Sequence, residues 1–479
     1  MLKRKAYEQL VFWKKTKAAQ ALLVTGARQI GKTYLIREFA KRNYENVVEI
    51  NLIENAEACA SFNAAKSSSD LFTRITVEAE TELIEGRTVI FIDEVQEAKE
   101  VVTFIKFLVE RKDYDYILSG SMLGVELKDI RSVPIGYLRT VEMYPLDFEE
   151  FCWAKGLNQS VIDQMAEHFD NKTPVEDFLH THLLELFHQY LIIGGLPEPV
   201  SAFVNTDNIQ TVRALQENII KMYRHDITRY SAPEDVVVIK RIFDLIPSEL
   251  NQQNKRFIIK RIDGQAKFGR NENRFLWLVD ANVALATYNV QEPRHPLLLS
   301  MDGSSFKLFL ADVGLLTSLC GMDTVREVLA YRVGVNYGAL YENAVAQELI
   351  AHGHRLFYFK NSRLGEVDFI IENKDGEVLP LEIKSGKDYK RHRALNNVLN
   401  VASYGINQAY VFHEGNVQRG LNVWYLPIYM ISCLDVEKRL HDQWSPEFLA
   451  CLGSLRNNKL ERSDQGDWDD DAPRAKFSF

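Results

Sequence analysis

Gly26-Ala27-Arg28-Gln29-Ile30-Gly31-Lys32-Thr33 lies between an apolar run, Ala21 to Thr25, and a helix-patterned stretch, Lys32 to Asn43. The octet satisfies GxxxxGK(S/T) in full and stands in the strand–loop–helix context that this pattern requires. Its glycines allow tight turns, so backbone N–H groups point inward at phosphate oxygens, and the helix N-terminus adds positive potential. Gly26, Ala27, Arg28, Gln29, Ile30 and Gly31 are the expected cradle, Lys32 the bridge between β- and γ-phosphates, and Thr33 a hydroxyl ligand for Mg²⁺. The cofactors expected from these residues are ATP and Mg²⁺.

Three further apolar runs extend this reading outward. Thr88-Val89-Ile90-Phe91-Ile92-Asp93-Glu94 reads as a buried strand ending in two acids, Asp93 for the Mg²⁺ shell and Glu94 to polarise an attacking water. The same pair would also suit a helix N-cap. The second acid favours hydrolysis over transfer to a metabolite. Tyr116 to Ser121 ends in hydroxyls, with Ser121 or Ser119 as a γ-phosphate sensor or as a plain serine turn. With Val47 to Asn51, these strands alternate with helix-length segments. That is the signature of a parallel sheet covered by helices, expected over residues 1–150.

A carboxylate–lysine constellation lies far downstream. Leu340 to His352 reads as a helix, followed by strands at Leu356 to Lys360, Glu366 to Ile371 and Val378 to Lys384. The last two are joined by the turn signal Asn373-Lys374-Asp375-Gly376. A helix near Ala394 to Tyr404 and strands at Ala409 to Phe412 and Val423 to Pro427 complete the unit. Side chains alternate along a strand, so Glu382 and Lys384 share one face, and Val367, Phe369, Leu381 and Ile383 share the apolar one. Asp368 would meet Glu382 across the hairpin, and two carboxylates at one point call for a cation between them. Mg²⁺ suits them, with Lys384 activating a water and Glu342 adding an acid from the helix. An exposed hairpin of alternating charge is the competing reading.

Between these units, Pro145 to about Leu250 is helical in pattern and broken at Gly194-Gly195-Leu196-Pro197. Lys255, Arg256, Lys260, Arg261, Lys267, Arg270 and Arg274 then crowd together against Asp263 and Glu272. Strand candidates Phe257 to Ile259 and Phe306 to Leu310 suggest a small helical domain with a β wing. The basic cluster reads as a phosphate-contacting or a solvated face. Lys387, Lys390, Arg391 and Arg393 are a second basic stretch, beside Lys384. His225 and Asp226 are expected in a surface or interdomain ion pair rather than a catalytic pair.

Composition bounds these readings. A chain of 479 residues suggests about three domains. With 57 Lys and Arg against 66 Asp and Glu, the net charge of −9 excludes a uniformly basic nucleic-acid coat and confines any DNA contact to local patches, Lys255–Arg274 or the region near Lys384. Five dispersed cysteines read as reduced core residues, which points to the cytoplasm. No apolar run approaches the roughly 20 residues of a membrane span, so no membrane partner is expected. The stretch after Asn457 is acidic and polar, expected to be disordered.

At these residues the chain resembles a large prokaryotic family that joins an AAA-type P-loop ATPase domain to a C-terminal domain of unknown function with a PD-(D/E)XK nuclease-like part. The resemblance covers Lys5 to about Phe412. Its marks are Thr25 to Thr33, Phe91 to Gln96, Leu118 to Ser121, Tyr144 to Phe151, Gly194 to Glu198, Leu310 to Leu316, Gly338 to Asn343, Glu366 to Phe369 and Glu382 to Gly386. It implies Walker A and Walker B roles for Lys32, Thr33, Asp93 and Glu94. It also implies a nuclease core of Asp368, Glu382 and Lys384 with Glu342 as its helix acid. The implied fold is α/β and multidomain: an AAA-type P-loop domain (1–150), a helical, winged-helix-like segment (151–330), a nuclease-like α/β domain (331–456) and an acidic tail (457–479). The implied role is a Mg²⁺-dependent ATPase acting as a switch or motor on DNA, and a homo-oligomer is compatible with it. The alternative is a regulatory ATPase with an inactive nuclease-like domain. Many members carry Gly-Arg shortly before the Pro-Leu segment. Gly136-Tyr137 stands there in this chain, leaving Arg131 or Arg139 as substitutes.

Overall fold

Five strands follow the alternation read from the N-terminal sequence: β1 (Ala21–Thr25), β2 (Asn46–Asn51), β3 (Thr88–Asp93), β4 (Asp115–Ser119) and β5 (Leu138–Glu142). Every neighbouring pair is parallel, in the order β2-β3-β4-β1-β5. Val89 to Ile92 is fully buried, as a strand covered by helices on both faces must be. Periodicity does not announce β5, an edge strand in which only Val141 is buried. On it, Arg139 pairs with Leu22, toward the end of β1 remote from the loop, and lies 4.6 Å over the Phe12 ring. These features belong to a computed structural model that describes residues 2–16, 19–121, 136–252, 268–330, 338–373 and 376–434. Arg131, most of the Lys255–Arg274 cluster, Cys451 and the acidic tail lie outside the described residues. So do Phe257 to Ile259.

The helix Asp177–Ile193 ends at Gly194, as the break in the sequence predicts. A Cβ on Gly195 would sit 2.0 Å from the Leu146 carbonyl oxygen, so only glycine allows this approach. The Leu146 N–H donates to Gly195 O at 2.6 Å, and the Gly195 N–H donates to Asp312 Oδ2 at 2.6 Å. Asp312 also caps the helix Val313–Cys320 by accepting from the Leu315 N–H at 3.0 Å. Complete burial pushes its carboxyl up to about 6, against the pull of the backbone N–H groups around it. The turn so pinned places Pro197 beside Gly31.

A second sheet takes strands from both sides of residue 330. It contains β6 (Ala284–Val290), β7 (Met301–Leu310), β8 (Phe357–Asn361), β9 (Gly365–Glu372), β10 (Val378–Ile383), β11 (Ala409–His413), β12 (Gln418–Arg419) and β13 (Val423–Pro427). Their order is β12-β13-β11-β10-β9-β8-β6-β7. Phe306 to Leu310 is thus no separate wing. It pairs with β6, and β6 runs parallel to β8, so one sheet crosses residue 330. The elements from the helix Gly338–Ala351 onward otherwise appear in the order read from the sequence.

One apolar core runs from a face of the first sheet through the middle helices to the second sheet, joining Leu22, Phe91, Phe148, Tyr190, Leu316, Tyr341 and Phe412. A buried ionic network crosses the same junction. Lys5 pairs with Asp147 at 2.5 Å and Glu149 at 2.9 Å, and His352 lies 3.2 Å from Asp147. The Phe148 N–H donates to Glu348 Oε1 at 2.7 Å. Arg4 pairs with Glu150 at 3.1 Å and donates to the Ile30 carbonyl of the phosphate-binding loop at 3.0 Å. Burial and the nearby Asp147 push Glu348 up to about 7, with His352 opposing.

Candidate functional site

Gly26, at φ +132°, lets the loop turn back under Met143, whose carbonyl would meet a Cβ at 2.2 Å. Gly31, at φ +86°, precedes the first turn of the helix Lys32–Asn43. The buried Lys32 Nζ donates to the Gly26 and Ala27 carbonyls at 3.0 and 2.8 Å. Burial drops its pKa to about 8, although Glu94 and Asp93 pull it upward. An ammonium buried among neutral carbonyls gains from an arriving anion.

The acids of β3 stand opposite. Thr33 Oγ1 donates to Asp93 Oδ2 at 2.8 Å, and Ser119 donates to Asp93 Oδ1. Glu94 adopts the left-handed region (φ 56°, ψ 48°), a conformation uncommon for a non-glycine residue. It accepts from Gln96 Nε2 at 2.6 Å and from Ser121 Oγ at 3.1 Å. Sequence reasoning had both serines; the structure separates them. Ser119 is fully buried and orients Asp93, whereas Ser121 lines the cavity.

That cavity, about 560 Å³, is the place where Lys32, Thr33, Glu94, Ser121 and Arg229 meet. Its far wall is the helix Ile209–Tyr230. Arg28 donates to Asp226 Oδ1 at 2.7 Å and to the Tyr230 hydroxyl at 2.9 Å, so the partner of Asp226 is an arginine of the loop, which the sequence did not indicate. Burial nevertheless leaves the Asp226 carboxyl above its ordinary value, against the pull of Arg28. Arg229, 3.8 Å from Glu97, was missed. Nothing in its local sequence marks it, and only the crossing of its helix over the loop places it here. The Thr33–Asp93 hydrogen bond at the cavity edge fits an Mg²⁺ site, since both oxygens suit a hard cation.

The C-terminal constellation is assembled differently. β9 carries an extra residue: Phe357 pairs with Ile370 and Phe359 with Val367, so Asp368 and Phe369 together oppose Tyr358. This bulge corrects the predicted apolar face. Phe369, Leu381 and Ile383 enter the large core, while Val367 packs in a separate cluster with Leu395 and Val398. Asp368 Oδ2 accepts from the Ile383 N–H at 2.9 Å, and Lys384 Nζ donates to Glu382 Oε1 at 2.7 Å. Burial, then Asp368, push Glu382 up to about 8. Glu342 is buried on the helix Gly338–Ala351, within electrostatic reach of both Glu382 and Lys384. Among the described residues, no three His, Cys, Asp or Glu side chains converge as a metal-binding group. Of the four described cysteines only Cys152 is buried; Cys320, the last residue of its helix, is exposed, contrary to the core reading. No helix among the described residues is long and apolar enough to cross a membrane.

Comparison with known proteins matches three separate stretches of the chain. Residues 18–152 match the sequence pattern of an AAA domain, 184–326 a domain of unknown function (DUF8612) and 337–431 another (DUF4143). An uncharacterised protein of Haemophilus influenzae is 21% identical over 398 residues, covering 80% of this chain and 86% of its own length. A Walker-type ATPase of Pyrococcus abyssi is similar in structure with a TM-score of 0.40 and 14% identity, over 67% of this chain and 96% of that one. The RuvB Holliday junction branch migration motor of Thermotoga maritima gives 0.27 and 15%, over 61% and 88%. Both TM-scores lie under 0.5, so neither likeness bears on function. The N-terminal region is an AAA-type P-loop domain, joined to C-terminal segments of unknown function.

Proposed function

We propose that this chain is an ATP hydrolase that works as a nucleotide-dependent switch on DNA. The observation that carries the ATPase reading is the cavity in which Lys32, Thr33 and Glu94 face Arg229. Lys32 and the loop N–H groups hold the β- and γ-phosphates, and Thr33 and Asp93 hold Mg²⁺, which neutralises phosphate charge when bound. Glu94, held by Ser121 and Gln96, orients and deprotonates the attacking water. Arg229 offers positive charge to the γ-phosphate from the opposite wall. Because Arg28 ties the loop to Asp226 and Tyr230, a nucleotide that draws Arg28 inward would release or reset that helix. The DNA part of the reading is supported by the local basic runs, Lys255 to Arg274 and Lys387 to Arg393, in an otherwise acidic chain. The nuclease-like reading of the C-terminal module is supported by the succession of Asp368, Glu382 and Lys384 on β9, β10 and the residue that follows β10. Phosphate release from ATP, measured with no nucleic acid and with single- or double-stranded DNA, tests the proposal. Turnover abolished in Glu94→Gln and stimulated by one DNA form is expected. Turnover untouched by Glu94→Gln would sink the ATPase reading, and indifference to both DNA forms would sink the DNA part.

A further inference from the structure

The cavity at the phosphate-binding loop has a larger neighbour. This second cavity, about 820 Å³, is lined by the segment Leu2 to Arg4 and by residues of the helices Lys32–Asn43 and Pro197–Thr206. Leu35, Trp153, Leu157 and Val204 give it walls that suit a flat, largely apolar ring. Four residues, Gly31, Tyr34, Pro197 and Glu198, line both cavities and mark where they meet. Glu94, Ser121 and Arg229 line the smaller cavity alone. A triphosphate that runs along the loop with its γ-phosphate at Glu94 therefore has the junction on the side of its α-phosphate. The sugar follows the α-phosphate, so it falls at the junction, and the base falls beyond it in the larger cavity. Glu198 is the one acid among the four shared residues. It is exposed, and among the described residues its carboxylate has no hydrogen-bond or ion-pair partner. The turn before it is fixed by the Gly195 hydrogen bonds to Leu146 and Asp312, and Pro197 Cγ stands 3.6 Å from where a Cβ on Gly31 would be. A carboxylate held beside phosphates is unfavourable by charge alone. Two vicinal hydroxyls offset this, because each donates a hydrogen bond that a carboxylate oxygen accepts.

We propose that Glu198 accepts from the vicinal ribose hydroxyls of the bound nucleotide, so that the second cavity holds the nucleoside and the site selects ribonucleotides over deoxynucleotides. The inference rests on the ATPase reading for the lie of the triphosphate along the loop, and adds to it which sugar the site takes.

Isothermal titration calorimetry of the full chain with Mg²⁺ and ADP, 2′-deoxy-ADP or 3′-deoxy-ADP tests it, since the diphosphates bind without turnover. Wild type is expected to bind ADP roughly 5–20-fold more tightly than either deoxy form, as for a charge-assisted hydrogen bond that stays partly solvated. Glu198→Ala is expected to bring all three affinities within about twofold of one another, the preference having gone with the acceptor. The ratio between nucleotides is the readout, because a merely structural loss at the start of this helix would weaken all three alike. Equal affinities in wild type would overturn the proposal, as would a Glu198→Ala variant that keeps the wild-type preference. ADP that binds without discrimination would leave the ATPase reading standing and remove this inference alone. Absence of any ADP binding would remove both.

Discussion

Lys32 and Lys307 are both buried lysines set among acids, yet they are opposites. Lys32 donates to two carbonyls and faces a cavity, and burial drops it to about 8. At Lys307, on β7, burial also pulls downward, but Glu366 at 2.8 Å, then Glu342 and Asp368, outweigh it and hold the ammonium above the ordinary lysine value. The same side chain, equally removed from water, is an unmet charge in one place and a spent one in the other. A buried cation without a matched carboxylate is a receptor for an anion. One already matched is part of the framework.

The largest test of this contrast is nucleotide affinity. Lys32→Ala should weaken ATP binding on the order of 10²–10⁴-fold, because several hydrogen bonds to charged oxygens go at once. Lys307→Met should leave it unchanged. A fluorescent ATP analogue reads both, and similar effects in the two variants would erase the distinction. Glu94→Gln should follow, with binding kept and turnover lower by roughly 10²–10⁴-fold, as for loss of a general base. Phosphate release under single-turnover conditions separates the two.

The tie across the cavity is a smaller effect. Asp226→Asn leaves Arg28 without its charged partner and should cost about 1–3 kcal/mol in the nucleotide-free protein, measured by urea unfolding. An unchanged midpoint would mean that the pair does not hold the helix to the loop.

The subtlest is the buried junction. Burial there, and then the nearby Asp147, let Glu348 keep its proton up to about 7, with His352 and Lys5 opposing. A carboxyl raised in the folded state stabilises fully below its unfolded pKa and progressively less as pH rises through the folded one. Stability should therefore decline between about pH 4.5 and 7. Glu348→Gln, which mimics the neutral form, should flatten that decline in melting curves. An identical slope in the variant would place the proton elsewhere.

Much of the nucleotide site was legible in the chain because it is local. The octet Gly26 to Thr33 is contiguous, Asp93 and Glu94 end a run of buried apolar residues, and Ser121 follows the next one. Each lies at the end of a strand whose direction is set by the βα alternation, so sequence order alone brings them to one edge. Hairpin pairing is similarly local, which is why Asp368 and Glu382 were found together. Three features were not legible. Arg229 and Asp226 reach the loop only because a helix crosses it. The bulge at Asp368–Phe369 shifts the strand's alternation, and no composition signal marks it. Lys307 sits in an ordinary-looking strand far upstream of Asp368, and its meaning depends on β6 and β7 joining the C-terminal sheet.

By itself, then, the sequence determined the phosphate-binding chemistry and the identity of the acids, since both follow from residue type, spacing and strand–loop–helix order. Tertiary structure alone decided which charges are balanced. Coulomb energy depends on distance and on exclusion of water, and both are properties of packing between segments remote in the chain.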